Sequence, residues 1–358
     1  MQKKELPTNH PDSVFNYYRI GFCYYRLGNY EEALKHYLIV LGIAEKNLPA
    51  NHSCLLYMYK IIGVCNFKLE MFGEAFKNFQ KALDILEKSL TRDHLALSTI
   101  YVGICTAYYC LGQYDEAQKY NLMSLKALEL NFSAYHPYLA ERYSIAGVLC
   151  YEIGQYTSAL KYELKALKIR KKIFKKSQSD MAVSYHRISR YYFVLDQCEK
   201  ALEYSLKSLE IRENIFPANH PDLTFSYYNV GYCYSILGKY HKALEFSLKV
   251  LEIHKSTLPE NHPAFAKIYV IVGLLYGELG RYDLAIEYVH MTTEIIRKIL
   301  PENNSDLATN NVDISINYYD VRHFDENLNY CLKAIELREN ELLSDDRQGS
   351  LRFIQQSD

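Results

Sequence analysis

The chain has 358 residues, 49% of them hydrophobic, with a formal net charge of −1, 35 tyrosines and no tryptophan. A charge so close to zero excludes a global pull toward nucleic acid or an anionic membrane, and the longest apolar run, residues 268–276, is far shorter than the roughly 20 residues that span a bilayer. The opening MQKKELPTNH has charge but no apolar stretch of a secretory signal, and the nine cysteines, odd in number and without a CxxC pair, fit reduced, buried thiols of a cytoplasmic protein.

Residues 1–5 read as a short N-terminal tail. From Leu6 onward the same kind of residue returns every 42 positions, at Leu48, Leu90, Phe132, Phe174, Phe216, Leu258, Leu300 and Leu342. A fixed period in the range of roughly 20–50 residues marks a repeat architecture and takes precedence over any other assignment. Eight periods fill residues 6–341, and residues 342–358 are in phase with a partial ninth repeat or a C-terminal tail. Because each unit of such an array buries its apolar face on its neighbours, length does not count domains, and one elongated domain is expected.

Four columns inside the period carry the pattern. One is small throughout: Gly21, Gly63, Cys105, Gly147, Ser189, Gly231, Gly273 and Ser315. Seven residues on come Gly28, Gly112, Gly154, Gly238 and Gly280, with Glu70, Asp196 and Arg322 in their place elsewhere. Two further the column is aromatic in every unit except at Cys198, and three further again it is alanine from Ala33 to Ala285, until Asn327.

Repeat six shows what the columns mean. From Pro221 the residues Leu223, Tyr227, Val230, Tyr234 and Leu237 recur at helical spacing, which predicts a helix A. Pro221 suits its first turn, and Asn219 or His220 is placed to cap it. Gly238 ends helix A, and Tyr240, Ala243, Leu244, Leu248 and Leu251 begin and line a helix B. The small residues let the two helices of a hairpin approach closely, and the tyrosines fill the wider contacts, with hydroxyls that need partners at the edge of the core.

In chain order, the face of helix A opposite the core is lined by Phe15, Tyr18, Arg19, Phe22, Tyr25 and Arg26 in repeat one and by Tyr57, Lys60, Phe67 and Lys68 in repeat two. Tyr109 follows in repeat three, Tyr151 in repeat four, Arg187, Arg190 and Phe193 in repeat five, and Asn229 in repeat six. Solenoid curvature gathers such faces into one concave surface, and aromatic residues among Arg and Lys are the composition of interaction hot spots. These residues are the expected peptide-binding groove. The column Tyr25, Phe67, Tyr109, Tyr151 and Phe193 has an equal claim to a wedge between successive A helices.

Candidate chemistry is sparse. His10, His52, His94, His136, His220 and His262 share one column and so stand in different repeats, too far apart for zinc, whose ligands lie about 2.1 Å from one point; helix capping is the expected role. No phosphate-binding glycine loop, HExxH or GxSxG occurs, so no catalytic residue, metal or cofactor is expected.

The succession of small residue, aromatic, Leu-Gly, aromatic and Ala resembles the tetratricopeptide repeat, and the 42-residue period with linkers such as LPANHPD and LPENHPA is similar to the kinesin-light-chain type, over residues 6–341. The resemblance implies an all-α, right-handed superhelical solenoid of antiparallel helical hairpins. It implies a non-enzymatic interaction scaffold, with a cargo-adaptor role and a peptide partner that carries acidic residues around an aromatic anchor. Nucleic-acid binding and membrane insertion are not expected. The alternative is the regulatory or substrate-recruiting part of a larger enzyme whose catalytic domain lies outside these residues.

Overall fold

The computed structural model describes residues 11–88, 94–173 and 178–299, together with Lys333. Among these residues the secondary structure is helical throughout, with fourteen α-helices. Repeat one is α1 (Pro11–Arg26) and α2 (Tyr30–Asn47), repeat two α3 (Ser53–Lys68) and α4 (Phe72–Glu87), and repeat three α5 (His94–Cys110) and α6 (Tyr114–Asn131). Repeats four and five supply α7 (Pro137–Glu152), α8 (Tyr156–Lys172), α9 (Gln178–Val194) and α10 (Cys198–Ile215). Repeats six and seven supply α11 (Pro221–Ile236), α12 (Tyr240–Thr257), α13 (Pro263–Glu278) and α14 (Tyr282–Ile299). Repeat eight and the tail lie outside the described residues.

The chain divides into two compact units at Leu195/Asp196, inside the turn of repeat five. In the first, α1 to α9 pack in succession, each on the next; in the second, α10 to α14 do the same.

Local chemistry sets the helix ends. His52, His136, His220 and His262 each turn Nδ1 onto the backbone N–H two residues on, at 3.2–3.3 Å, so the histidine column satisfies N–H groups that the first helical turn leaves open. At the other end of helix A the chain turns through a left-handed residue. Gly28, Gly112, Gly154, Gly238 and Gly280 take φ between +66° and +86°, and Glu70 and Asp196 take the same turn at +60° and +58°. In repeat one Leu27 N–H donates to Cys23 O and Asn29 N–H to Tyr24 O, each at 3.0 Å, which occupies the final carbonyls of the helix.

The alanine column is the centre of each repeat: Ala33, Ala75, Ala117, Ala159, Ala201, Ala243 and Ala285 are all 0% exposed. The small column has two uses. At Gly21 and Gly63 a Cβ would stand 3.0 Å from the rings of Tyr37 and Phe79, so an aromatic from helix B fills the missing side chain's space. At Gly147 and Gly273 it would stand 3.1 and 3.3 Å from the carbonyl oxygens of Ala159 and Ala285, so there the backbones themselves come close.

Successive repeats are tied by a recurring tyrosine. Tyr59, Tyr143 and Tyr227 each donate a hydroxyl hydrogen bond to the glutamate fourteen positions earlier, Glu45, Glu129 and Glu213, on the preceding helix B. Burial, with the glutamate as the second cause, pushes each of these phenols up to about 12. They stay neutral donors at any physiological pH.

Candidate functional site

The residues expected to line the groove fall on α1, α3, α5, α7 and α9 of the first unit, except Asn229, which lies on α11 of the second. On α1 and α3, Phe15 is 59% exposed with the Arg19 guanidinium 5.7 Å from its ring centroid. Lys60 stands 5.7 Å from the ring of Tyr57, and Tyr57 and Tyr18 share a hydroxyl–hydroxyl hydrogen bond of 3.1 Å between the two repeats. Burial and that bond push the Tyr18 phenol up to about 12. Phe22, Arg26 and Lys68 are exposed along the same helices.

The aromatic column also makes contacts within each hairpin. Tyr25, Phe67, Tyr109 and Tyr151 each contact the aromatic that opens their own helix B, Tyr30, Phe72, Tyr114 and Tyr156, at centroid distances of 5.5, 5.5, 5.6 and 5.4 Å. The pair spans the left-handed turn and pins the hairpin. Tyr151 also stacks on Tyr191 of α9 at 5.4 Å. Phe193 is half-buried near the end of α9, and Asn229 donates its amide to Phe225 O of its own helix at 2.8 Å.

The two arginines of repeat five differ. Arg190 is exposed and lies 4.6 Å from the Tyr151 ring centroid. Arg187 is held inward, its Nη1 donating to Ser144 Oγ at 2.5 Å and standing 3.9 Å from Glu163 Oε2.

Glu163 is the centre of a buried polar cluster between α7, α8 and α9. Its side chain is 0% exposed, and its Oε1 accepts from Ser144 Oγ at 3.0 Å, Ser184 Oγ at 2.7 Å and Arg170 Nη1 at 3.1 Å. Beside it, Arg142 is buried in a core column with Nη2 on Glu141 at 2.5 Å and Nη1 unpartnered. Asn121 donates to Arg142 O at 3.2 Å and leaves its own Oδ1 unpartnered. The sequence pattern does not single out this cluster, because the Glu163 column also holds Tyr37, Phe79, Asn121, Ser205, Ser247 and Val289. The available signal is the pair Glu163 and Arg170, two turns apart on one helix face.

The described cysteines are free thiols. Burial pushes Cys65 and Cys105 up to about 11, which leaves them protonated and poor nucleophiles. Among the described residues no group of three or more His, Cys, Asp or Glu side chains is placed to hold a metal ion. No helix among them is long and apolar enough to cross a membrane.

Family models of the tetratricopeptide repeat match residues 13–88, 96–172, 180–256 and 266–289. No curated protein matches the chain. Solved structures do. The nearly identical TPR-like repeats assigned to a kinesin light chain of Podosopora anserina share 18% identity and a TM-score of 0.52, over 57% of this chain and 98% of that one. BtubC (BKLC) of P. vanneervenii shares 18% at a TM-score of 0.52, over 68% and 90%. A signal-transduction ATPase with numerous domains and a tetratricopeptide repeat sensor, from Pyrococcus horikoshii, shares 21% at a TM-score of 0.60, over 80% of this chain and 43% of that one. At these identities the neighbours speak for the fold. Repeats of this kind generally mediate contacts between proteins. With family models matched from residue 13 to residue 289 and helices paired through the same small, aromatic and alanine columns, the chain belongs to the tetratricopeptide repeat family.

Proposed function

We propose that this chain is a non-enzymatic scaffold that holds an extended segment of a partner protein along the exposed faces of its A helices, in the manner of a cargo adaptor. The observation that carries the reading is the set of A-helix aromatic rings with cations laid over them: Arg19 on exposed Phe15, Lys60 on exposed Tyr57 and Arg190 on half-buried Tyr151. Each joins apolar ring surface to a positive charge within 6 Å of the ring centroid. A segment with acidic residues around one aromatic or large apolar anchor complements such platforms. The anchor contributes roughly 1.5–3 kcal/mol by burial, and the charged contacts give register and association rate more than affinity.

The test is a titration of fluorescent acidic-aromatic peptides at low and high salt, against the chain and its Lys60→Glu/Arg190→Glu variant. Arg190 is exposed and Lys60 half-buried, and far-UV circular dichroism checks that the variant is folded. Arg187→Glu is unsuited to this purpose, because it sets a second carboxylate beside buried Glu163. Binding that weakens with salt and with the double substitution supports the reading; binding indifferent to both refutes it.

A second reading follows the Pyrococcus horikoshii neighbour, whose repeats are described as the sensor of a larger ATPase. This chain would then be the recruiting part of a longer enzyme, and the sequence of the full-length transcript decides between the two.

A further inference from the structure

In repeats two to seven, one side of helix A is covered by helix B of the preceding repeat. Where both helices lie in the same unit, the contacts run α2 on α3, α4 on α5, α6 on α7, α8 on α9, α10 on α11 and α12 on α13. Among the described residues none covers the corresponding side of α1. Ile20 is 41% exposed where its equivalents Ile62, Ile104 and Ile188 are 1%, 0% and 0% exposed, and Leu27 is 80% exposed. Cys23 is likewise exposed where its equivalent Cys65 is buried. Asn16, Arg19, Ile20, Cys23, Tyr24 and Leu27 line a groove of about 540 Å³ on this side.

The chain itself records what fits such a surface. The α1 face matches that of α3 at Tyr17/Tyr59, Ile20/Ile62, Cys23/Cys65 and Leu27/Leu69, and α3 is covered by α2. That helix brings a buried stripe of Ala33, Tyr37, Val40, Leu41 and Ala44, and Glu45 near its end, which accepts the Tyr59 hydroxyl. Tyr17 stacks on His36 at 6.0 Å, as Tyr143 stacks on Tyr162 at 6.3 Å while donating to the glutamate of the helix before it.

We propose that the open face of α1 is a docking surface for an amphipathic partner helix of the α2 type: an apolar stripe containing small residues, with a carboxylate near its C-terminal end that accepts from Tyr17. Arg19 within the groove favours a helix with an acidic edge and opposes the face-to-face pairing of two copies, which would set like charges against each other. The groove shares Arg19 with the Phe15 platform, but its test alters Ile20 and Leu27 and the test of the scaffold function alters Lys60 and Arg190, so the two can fail independently.

The probe is a fluorescein-labelled synthetic peptide of residues 30–48, titrated against the full chain by anisotropy, with alkylation of Cys23 followed by mass spectrometry. Exposed Cys110 serves as the internal reference. The expected result is saturable binding that slows alkylation of Cys23 and leaves Cys110 unchanged. Binding should weaken by about tenfold or more with Ile20→Arg/Leu27→Arg in the chain, and again with Glu45→Lys in the peptide. Both chain positions are exposed, and far-UV circular dichroism checks that the variant is folded. Absence of saturable binding overturns the proposal, as does binding that leaves Cys23 reactive and survives the double substitution. Concentration-dependent association of the chain alone, abolished by the same variant, would assign the face to a second copy and overturn it as well.

Discussion

Glu163 shows how far a single side chain can depart from its column without disturbing the repeat. It occupies the position of Tyr37 and Phe79, where an aromatic fills the space above a glycine, and makes up for the lost apolar volume with Arg170, Ser144 and Ser184. Removing one partner of a buried ion pair leaves the other uncompensated, at a cost of about 3–5 kcal/mol. Glu163→Ala is therefore expected to lower the unfolding free energy of the first unit by that order, read from its urea transition, and Glu163→Leu/Arg170→Leu to recover a good part of the loss. If the double substitution is as damaging as the single one, the cluster is not the source of the effect. In the second unit His254 gives a pH signature. It is buried beside Phe265 and Tyr228 with Nδ1 unpartnered, and burial, then the His262 charge, depress its pKa. The unfolded chain takes up the proton first as the pH falls below the ordinary histidine value of about 6.5. The neutral ring's contribution is thus complete above that value and lost as the pH falls from there to the folded value. Thermal unfolding of the second unit should lose midpoint between neutral and mildly acidic pH, and His254→Phe should flatten that dependence; an unchanged slope in the variant would rule His254 out as the cause.

At the scale of the helix, the sequence was legible because each column answers one geometric demand. The left-handed turn calls for glycine, the close approach of the two helices for a small residue, and the first turn of helix A for a capping histidine. The predicted start of helix A at Pro221, its turn at Gly238 and the start of helix B at Tyr240 coincide with the structure. Less legible was the size of the gap that each glycine guards. At Gly103 a Cβ would stand 2.7 Å from Phe79, a side chain 3% exposed and without room to yield, whereas at Gly42, in mid-helix, it would meet nothing within 4 Å. Gly103→Ala is accordingly expected to cost about 1–3 kcal/mol by overpacking, and Gly42→Ala to stabilise α2 by up to about 1 kcal/mol through helix propensity. Chemical denaturation of the two variants checks both signs, and a shared sign would contradict the packing account. The candidate site was harder to read for a related reason. The spacing of Arg187 and Arg190 puts them on neighbouring parts of one helix, yet a buried carboxylate from α8 draws one inward while the other rests on Tyr151. No pattern within α9 records that carboxylate.

Across the whole molecule, stability in an array of nearest-neighbour contacts is close to a sum over repeats and their interfaces, so it fails first where the sum is smallest. Repeat five is that place. Its turn residue is Asp196, held at φ +58° where five other repeats have glycine, and the aromatic that should open its helix B is Cys198. A non-glycine residue in the left-handed region costs roughly 1–2 kcal/mol, less for aspartate than for most. Cys198 also stands where six other described repeats have an aromatic residue at the start of helix B. The division into compact units falls between Leu195 and Asp196, so the weak columns and the division coincide. Repeat eight, with Asn327 in the alanine column, is weak by the same reasoning but lies outside the described residues. Hydrogen exchange followed by mass spectrometry should therefore find amides of α9 and α10 exchanging ahead of those of α3 to α6. Asp196→Gly/Cys198→Tyr restores the residue types of the turn column and of the aromatic column, and should slow that exchange toward the level of its neighbours. Uniform protection from α3 through α10 in the unaltered chain, or a double substitution that leaves the early exchange in place, would mean that the columns do not set the order in which the array opens.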